Sequence, residues 1–234
     1  MTRVAKFYKA VDTAREGRGF VVRLDGKAVK TPARVLLSLP TAPLADAIAE
    51  EWRSQTEIVD PTAMPLTRFA YAAIDVAPAY RARLTDEILA YAKSDLLCYR
   101  ADAPAALIAR QNGAWNPLLD WAAERFGARL KTGTGIAFVE QSAESQAAFA
   151  KAVHGRDDFA LVGLHGAASL TGSLVLGLAL TEGRLAAGQA FALSCLDETF
   201  QAEAWGRDAE AAARAGRLGA ELAAVERFLT LSRP

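Results

Sequence analysis

Residues 195–229 read CLDETFQAEAWGRDAEAAARAGRLGAELAAVERFL. Together with Leu193 just before it, Leu196, Phe200 and Ala204 recur at helical spacing and fall within roughly 80° of one another at about 100° per residue. A stripe of that kind must be buried against another element. Asp197 lies within it and Glu203 at its edge, and acidic side chains are almost never fully buried unless paired. Either the carboxylates reach past the stripe to water or to an arginine, for instance Arg207 one turn after Glu203, or they edge a groove for another polypeptide. A further helix follows, with Leu218, Leu222, Val225 and Leu229 on one face.

The preceding chain supplies what this region packs against. Residues 159–180, FALVGLHGAASLTGSLVLGLAL, carry no charge and are long enough to span a bilayer. The run holds Gly163, Gly166, Gly172, Gly177 and His165, with no aromatic belt or basic flank, so it is predicted to be the buried centre of a helical bundle, broken near 167–169 and stopped at Glu182-Gly183. Upstream, Leu66, Phe69, Ala73 and Ala77 form a stripe expected to stop at Pro78, and Tyr80, Leu84, Ile88 and Tyr91 form the next. Residues 104–126 predict two helices or one kinked at Pro117, Gly127–Val139 offers a hairpin, and Ser142 caps a helix to about Val153.

The first forty residues read as strands instead: FYKAV, FVVRL, KAVKT and LLSL, with Asp25-Gly26 as a hairpin turn and Gly17 and Gly19 in the turn before. Interspersed lysines and arginines predict an antiparallel sheet with one solvated face. Thr41 then caps a covering helix whose Leu44, Ile48 and Trp52 face the core. Two prolines between Asp60 and Pro65 mark a boundary. The expected class is α+β: a small N-terminal sheet domain with its covering helix, 1–62, and a larger helical domain, 63–234.

Composition narrows the function. With 234 residues, 52% hydrophobic and 23% charged, the chain is an ordinary folded protein rather than a disordered one. A net charge of +0 argues against a binder that neutralises nucleic-acid phosphates. The charges are segregated: nine Lys/Arg against three Asp/Glu in residues 1–34, and three Arg against seven Asp/Glu in residues 190–226. The two cysteines, Cys98 and Cys195, have no metal or redox spacing and are expected to be reduced core thiols. His154 and His165 cannot make a zinc site alone, and His165 is expected to be a hydrogen-bonded core histidine. Gly133-Thr-Gly135 lacks the lysine-serine end of a phosphate loop, and Ser173 lacks the second glycine of a nucleophile elbow. Asp197 and Glu198 diverge by about 100° on a helix and make no catalytic dyad, while Asp95 and Glu140 stand isolated in sequence. No enzyme and no cofactor is predicted; the alternative is a small-molecule enzyme whose site is assembled from distant segments of the helical domain.

Five passages occur in order: DGKAVKTP at 25–32, AEEWRSQ at 49–55, MPLTR at 64–68, YAKSDLLCYRA at 91–101 and LDETFQAEAWGRDAEAAAR at 196–214. As an ordered set over nearly the full length they resemble the assembly chaperone of the F-type ATP synthase that handles the α subunit, assembly factor two of the catalytic head. The resemblance implies a two-domain protein that binds the unassembled α subunit and shields its β-facing surface until β displaces it, with no nucleotide hydrolysis. With the neutral net charge and the glycine-rich 159–180 run, no nucleic-acid partner and no stable membrane insertion are expected. Mitochondrial members carry an import pre-sequence; MTRVAKFYKAV lacks the apolar run of a signal peptide and starts at the family domain, so a bacterial cytoplasmic member is expected. A binder that holds an unpaired subunit surface and then yields it needs an apolar patch with a polar rim. Glu203, Asp197, Glu198, Asp208 and Trp205, inside the last passage, are the expected partner-binding residues.

Overall fold

A computed structural model describes residues 3–206 and 208–233. Strand β1 (Val4–Ala5) is followed by β2 (Val11–Glu16), β3 (Gly19–Leu24) and β4 (Lys27–Ala28), the last three hydrogen-bonded antiparallel in that order. Asp25-Gly26 forms the forecast hairpin: both residues have positive φ (48° and 80°) in a two-residue loop joining Leu24 to Lys27. The FYKAV segment is not a strand before Val11. Tyr8 instead turns inward, 5% exposed, and its hydroxyl donates to the Trp52 carbonyl at 2.6 Å. Central β3 buries adjacent Val21 and Val22, hence both faces, which a sheet with one solvated side would not do. The LLSL segment contributes single bridges only, Leu36 to Lys30 and Leu39 to Phe20.

Helix α1 (Ala42–Arg53) starts as the sequence predicts, the Thr41 hydroxyl accepting from Leu44 N at 3.2 Å, and it buries Leu44, Ile48 and Trp52. Strand β5 (Ile58–Val59) pairs antiparallel with β1. A 3-10 turn, Pro61–Ala63, leads to α2 (Pro65–Tyr71). Both prolines open helical turns, where the missing N–H has no partner to lose. Glu51, from the last turn of α1, closes the start of α2: its carboxylate accepts from Leu66 N at 2.7 Å, Thr67 N at 2.8 Å and Thr67 Oγ1 at 2.7 Å, while burial pushes its pKa up.

Pro78 does not stop the helical path. A π-helical turn, Ala72–Val76, precedes α3 (Ala77–Lys93), and the chain passes the proline with a distortion at Tyr80 (φ −127°, ψ 27°). That distortion turns Tyr80 outward, 59% exposed, and leaves Thr85, Ile88 and Ala92 as the buried face. A 3-10 turn, Leu96–Cys98, and β6 (Tyr99–Arg100) precede α4 (Ala105–Phe126), one helix with Pro117 inside it. Residues 127–139 make no hairpin: β7 (Gly133–Thr134) pairs parallel with β6. Ser142 caps α5 (Ala143–His154) through Ser145 N.

The uncharged run becomes α6 (Asp158–Thr171) and α7 (Leu174–Thr181). Its break falls at Gly172-Ser173, beyond 167–169, because Ser173 and the Asp95 carboxylate together cap α7. Ser173 Oγ accepts from Leu176 N at 3.0 Å, and Asp95 accepts from Val175 N at 3.0 Å. Among the described residues no helix is long and apolar enough to cross a membrane. Helices α8 (Ala187–Ser194), α9 (Leu196–Trp205) and α10 (Ala209–Ser232) complete an α+β chain, the class expected.

The chain groups into two compact units, residues 1–81 with 157–163 and 224–234, and residues 82–156 with 164–223. The boundary expected near 62 falls inside the first. There Phe228, fully buried, packs against Phe69 at 5.4 Å and Phe159 at 5.8 Å between ring centroids, and the Thr41 hydroxyl donates to the Leu231 carbonyl. Gly163 allows Leu229 to lie against its backbone, where an added Cβ would stand 2.6 Å from Leu229 Cγ. In the second unit every residue of α7 is buried, beside a core that includes Trp115 and Phe149.

Candidate functional site

The acidic segment is braced against α4 by polar contacts. A turn at Cys195 separates α8 from α9 and divides the apolar stripe: Leu196 is buried, Leu193 and Phe200 half-buried, Ala204 exposed. From α4, fully buried Gln111 accepts from Ala101 N at 2.9 Å and donates through Nε2 to Asp197 Oδ1 at 2.8 Å. Trp115, one turn on, donates its indole N–H to the Leu193 carbonyl at 3.1 Å. Buried Arg100 donates to the Leu97 carbonyl (3.1 Å), to Asn112 Oδ1 (3.2 Å) and to Asn116 Oδ1 (2.9 Å), with its guanidinium 5.2 Å from the Trp115 ring centroid; burial lowers its pKa. These bonds satisfy side chains that burial would otherwise penalise.

Glu203 meets Arg110 as a fork, with Nη1 to Oε2 at 2.7 Å and Nη2 to Oε1 at 2.9 Å. The Arg110 hydrogen bond lowers the Glu203 pKa, and Glu203 raises that of Arg110. Both side chains are substantially exposed, 56% and 41%, so the pair fixes where α9 lies on α4 more than it holds the fold together. Arg207, the partner considered from sequence, lies outside the described residues. Glu198 is exposed. Asp208, exposed, accepts from Ala211 N at 3.3 Å in the first turn of α10. Trp205, at the end of α9, is 83% exposed. The five expected residues therefore divide: Asp197 turns to α4, Glu203 is held from the side, Asp208 caps the next helix, and Glu198 and Trp205 face solvent.

Sequence reasoning missed Arg100, Arg110 and Gln111. A signal for Gln111 existed, since Leu107, Gln111, Trp115 and Leu118 share one helical face and only Gln111 is polar. Asp95 is not isolated: fully buried, it accepts from Leu97 N (3.0 Å), Ser173 Oγ (2.7 Å) and Val175 N (3.0 Å), and burial raises its pKa to about 6. His165 is no core histidine, being one-third exposed with Nε2 3.2 Å from Glu87 Oε2. Neither Cys98 nor Cys195 is in a disulfide; Cys98 is buried, which pushes its pKa up to about 12, whereas Cys195 is half-buried. Among the described residues no group of three or more His, Cys, Asp or Glu is disposed to hold a metal ion.

Helix α9 thus carries exposed Glu198 and Glu203 and ends in the solvent-facing indole of Trp205. The description of the ATP12 chaperone protein family matches residues 5–123, just over half of the chain, and the chain belongs to that family of ATP synthase assembly factors. It is similar to the crystal structure of Atp12 from Paracoccus denitrificans, at 43% identity over 98% of each chain with a TM-score of 0.93. The Atu1473 protein of Agrobacterium tumefaciens is 41% identical, with a TM-score of 0.92 over 99% of this chain and 87% of that one. A mitochondrial atp12 protein of Schizosaccharomyces pombe is 23% identical over 213 residues, 86% of this chain and 73% of its own length.

Proposed function

We propose that this chain is an assembly chaperone that binds the unassembled α subunit of the F-type ATP synthase catalytic head and shields its β-facing surface until β displaces it. The observation that carries this reading is membership of the ATP12 chaperone family, with 43% identity to the Paracoccus Atp12 across 98% of both chains. An α subunit made without β exposes an apolar surface that aggregates or pairs wrongly. A holder has to cover that surface and still lose to the rightful partner, which calls for an anchor inside a polar rim rather than a wholly apolar seam. Trp205 supplies the anchor in this reading, and Glu198, Glu203, Asp197 and Asp208 supply the rim or hold the helix that carries it. The chain acts by binding and turns over no substrate, and it works in the bacterial cytoplasm.

The test is co-expression of α subunit without β, with and without this chain. Soluble α subunit that co-purifies with the chain, and leaves it when β is added, is the expected result. An α subunit equally insoluble in both cultures would sink the reading.

A further inference from the structure

The loop at residues 131–141 presents two apolar side chains to water from a fastened base. Buried Gln141 closes the loop as a neighbouring strand would: its Oε1 accepts from Lys131 N at 2.8 Å, and its Nε2 donates to the Lys131 carbonyl at 2.9 Å. The two arms touch where Val139 lies against Gly133, so closely that an added Cβ would stand 2.5 Å from Val139 Cγ2. Past β7, Gly135 N donates to the Arg100 carbonyl at 2.8 Å, which ties the start of the tip to β6. On this base Ile136 is fully exposed and Phe138 is 69% exposed. Single apolar residues scattered over a surface are ordinary. Here, among the described residues, the large apolar side chains that the second unit exposes are Ile136, Phe138 and Trp205, and two of them share one loop tip.

The loop and the acidic helix stand on one platform. Gln111 of α4 accepts from Ala101 N, next to β6, at 2.9 Å and donates to Asp197 of α9 at 2.8 Å. Following these bonds from Asp197 through Gln111 and the Arg100–Ala101 peptide to Gly135, with ordinary covalent lengths between them, puts the Ile136 Cα within roughly 20 Å of the Asp197 Cα. A standard protein contact of about 800 Å² per partner is about 30 Å across. A partner seated on α9 therefore has the loop within its breadth.

The chemistry of that partner follows from the loop. Residues 132–139, TGTGIAFV, carry no charge, so the complementary surface is apolar and uncharged. Two side chains offer on the order of 300 Å², short of the about 800 Å² per partner that a stable contact buries, so two copies of this chain meeting tip to tip would not hold. The tip needs a wider contact around it. We propose that the loop at 131–141 is a second contact for the client, with Ile136 and Phe138 seated in an apolar, uncharged depression of the β-facing surface of the α subunit, beside the contact made by α9. That the client is the α subunit rests on the chaperone reading above.

The test uses the full chain, co-expressed with α subunit in cells lacking β. In one culture Phe138 is replaced by photo-reactive p-benzoylphenylalanine, and irradiation is expected to give an adduct of this chain with α that disappears when β is supplied. In a second, the Ile136→Ser, Phe138→Ser chain should melt like the unsubstituted one, because both side chains face water, and should keep about tenfold less α subunit soluble. If the double variant melts early, the adduct decides. No adduct, an adduct between two copies of this chain or with lipid, or undiminished α retention by a normally melting double variant overturns the proposal. An unsubstituted chain that retains α while the double variant matches it removes the loop alone and leaves the chaperone reading standing. An unsubstituted chain that retains no α sinks that reading and the loop contact with it.

Discussion

Asp95→Asn is expected to cost stability in acid and progressively less toward neutral pH. Asp95 is fully buried, with Oδ1 accepting from Leu97 N and Ser173 Oγ and Oδ2 accepting from Val175 N. Asparagine can keep one oxygen in place, which sets its NH₂ against the Val175 N–H. Two donors then face each other in the interior, a loss of about 1–3 kcal/mol. The wild-type carboxyl carries a second effect. Burial raises its pKa from 3.8 to about 6 against the pull of its hydrogen bonds, so between those values the native state keeps a proton that the unfolded chain releases. A raised acidic pKa makes this group's contribution fall as pH rises through that window, by on the order of 3 kcal/mol in total. Asparagine has no such proton. Urea unfolding of both proteins from about pH 4 to about pH 7 should show the variant behind by about 1–3 kcal/mol in acid and level with or ahead of the wild type at neutrality, since the wild type alone loses on the order of 3 kcal/mol across that window. A gap that is independent of pH, or one that widens toward neutral pH, refutes the reasoning.

Trp52→Arg removes a buried ring worth about 3–5 kcal/mol and leaves an unpaired charge inside, so low soluble yield and a depressed thermal midpoint are expected. Soluble, normally melting protein that has lost only α-subunit capture would move Trp52 to the interface. Glu203→Lys sets an ammonium against the Arg110 guanidinium on an exposed face; the melting curve should barely change while retention of soluble α subunit drops. Full retention would take Glu203 out of the contact, and collapse of both would make it a residue of the fold. Gly163→Ala forces Leu229 aside and should cost about 1–3 kcal/mol, read as a lower thermal midpoint. An unchanged midpoint would show spare room beside α6.

What the sequence disclosed was local. The Asp25-Gly26 turn, the Thr41 and Ser142 caps and the stop at Glu182-Gly183 each depend on a few neighbouring residues, and each is in place. The face of α1 followed from period alone, because buried stripes repeat every 3.6 residues, and that of α10 followed in part: Leu222, Val225 and Leu229 are buried, but Leu218 is only half-buried and Phe228 joins the buried face. What stayed hidden depends on distant partners. Asp95 looked isolated because Ser173 and Val175 lie far along the chain, and Arg110 approaches Glu203 across a comparable separation. Pro78 was misjudged because a π turn upstream absorbs its effect, and two-residue parallel pairing of 99–100 with 133–134 leaves no pattern to detect. Of the candidate site, the acidic helix was legible and its brace on α4 was not. Trp205 could be nominated from its passage, but exposure is a property of the folded surface.

The N-terminal unit depends on residues made long after its sheet. Phe228 fills the space between Phe69 and Phe159, and the Leu231 carbonyl receives the Thr41 hydroxyl. Order of synthesis and order of completion are therefore opposed. During translation the sheet and its covering helix emerge early, with an apolar surface that is completed last by the end of α10. Until then the nascent chain carries an unsealed core of its own, subject to the same aggregation hazard as any partly folded domain. A stop codon near residue 224 would accordingly be felt first as instability of the opposite end of the polypeptide.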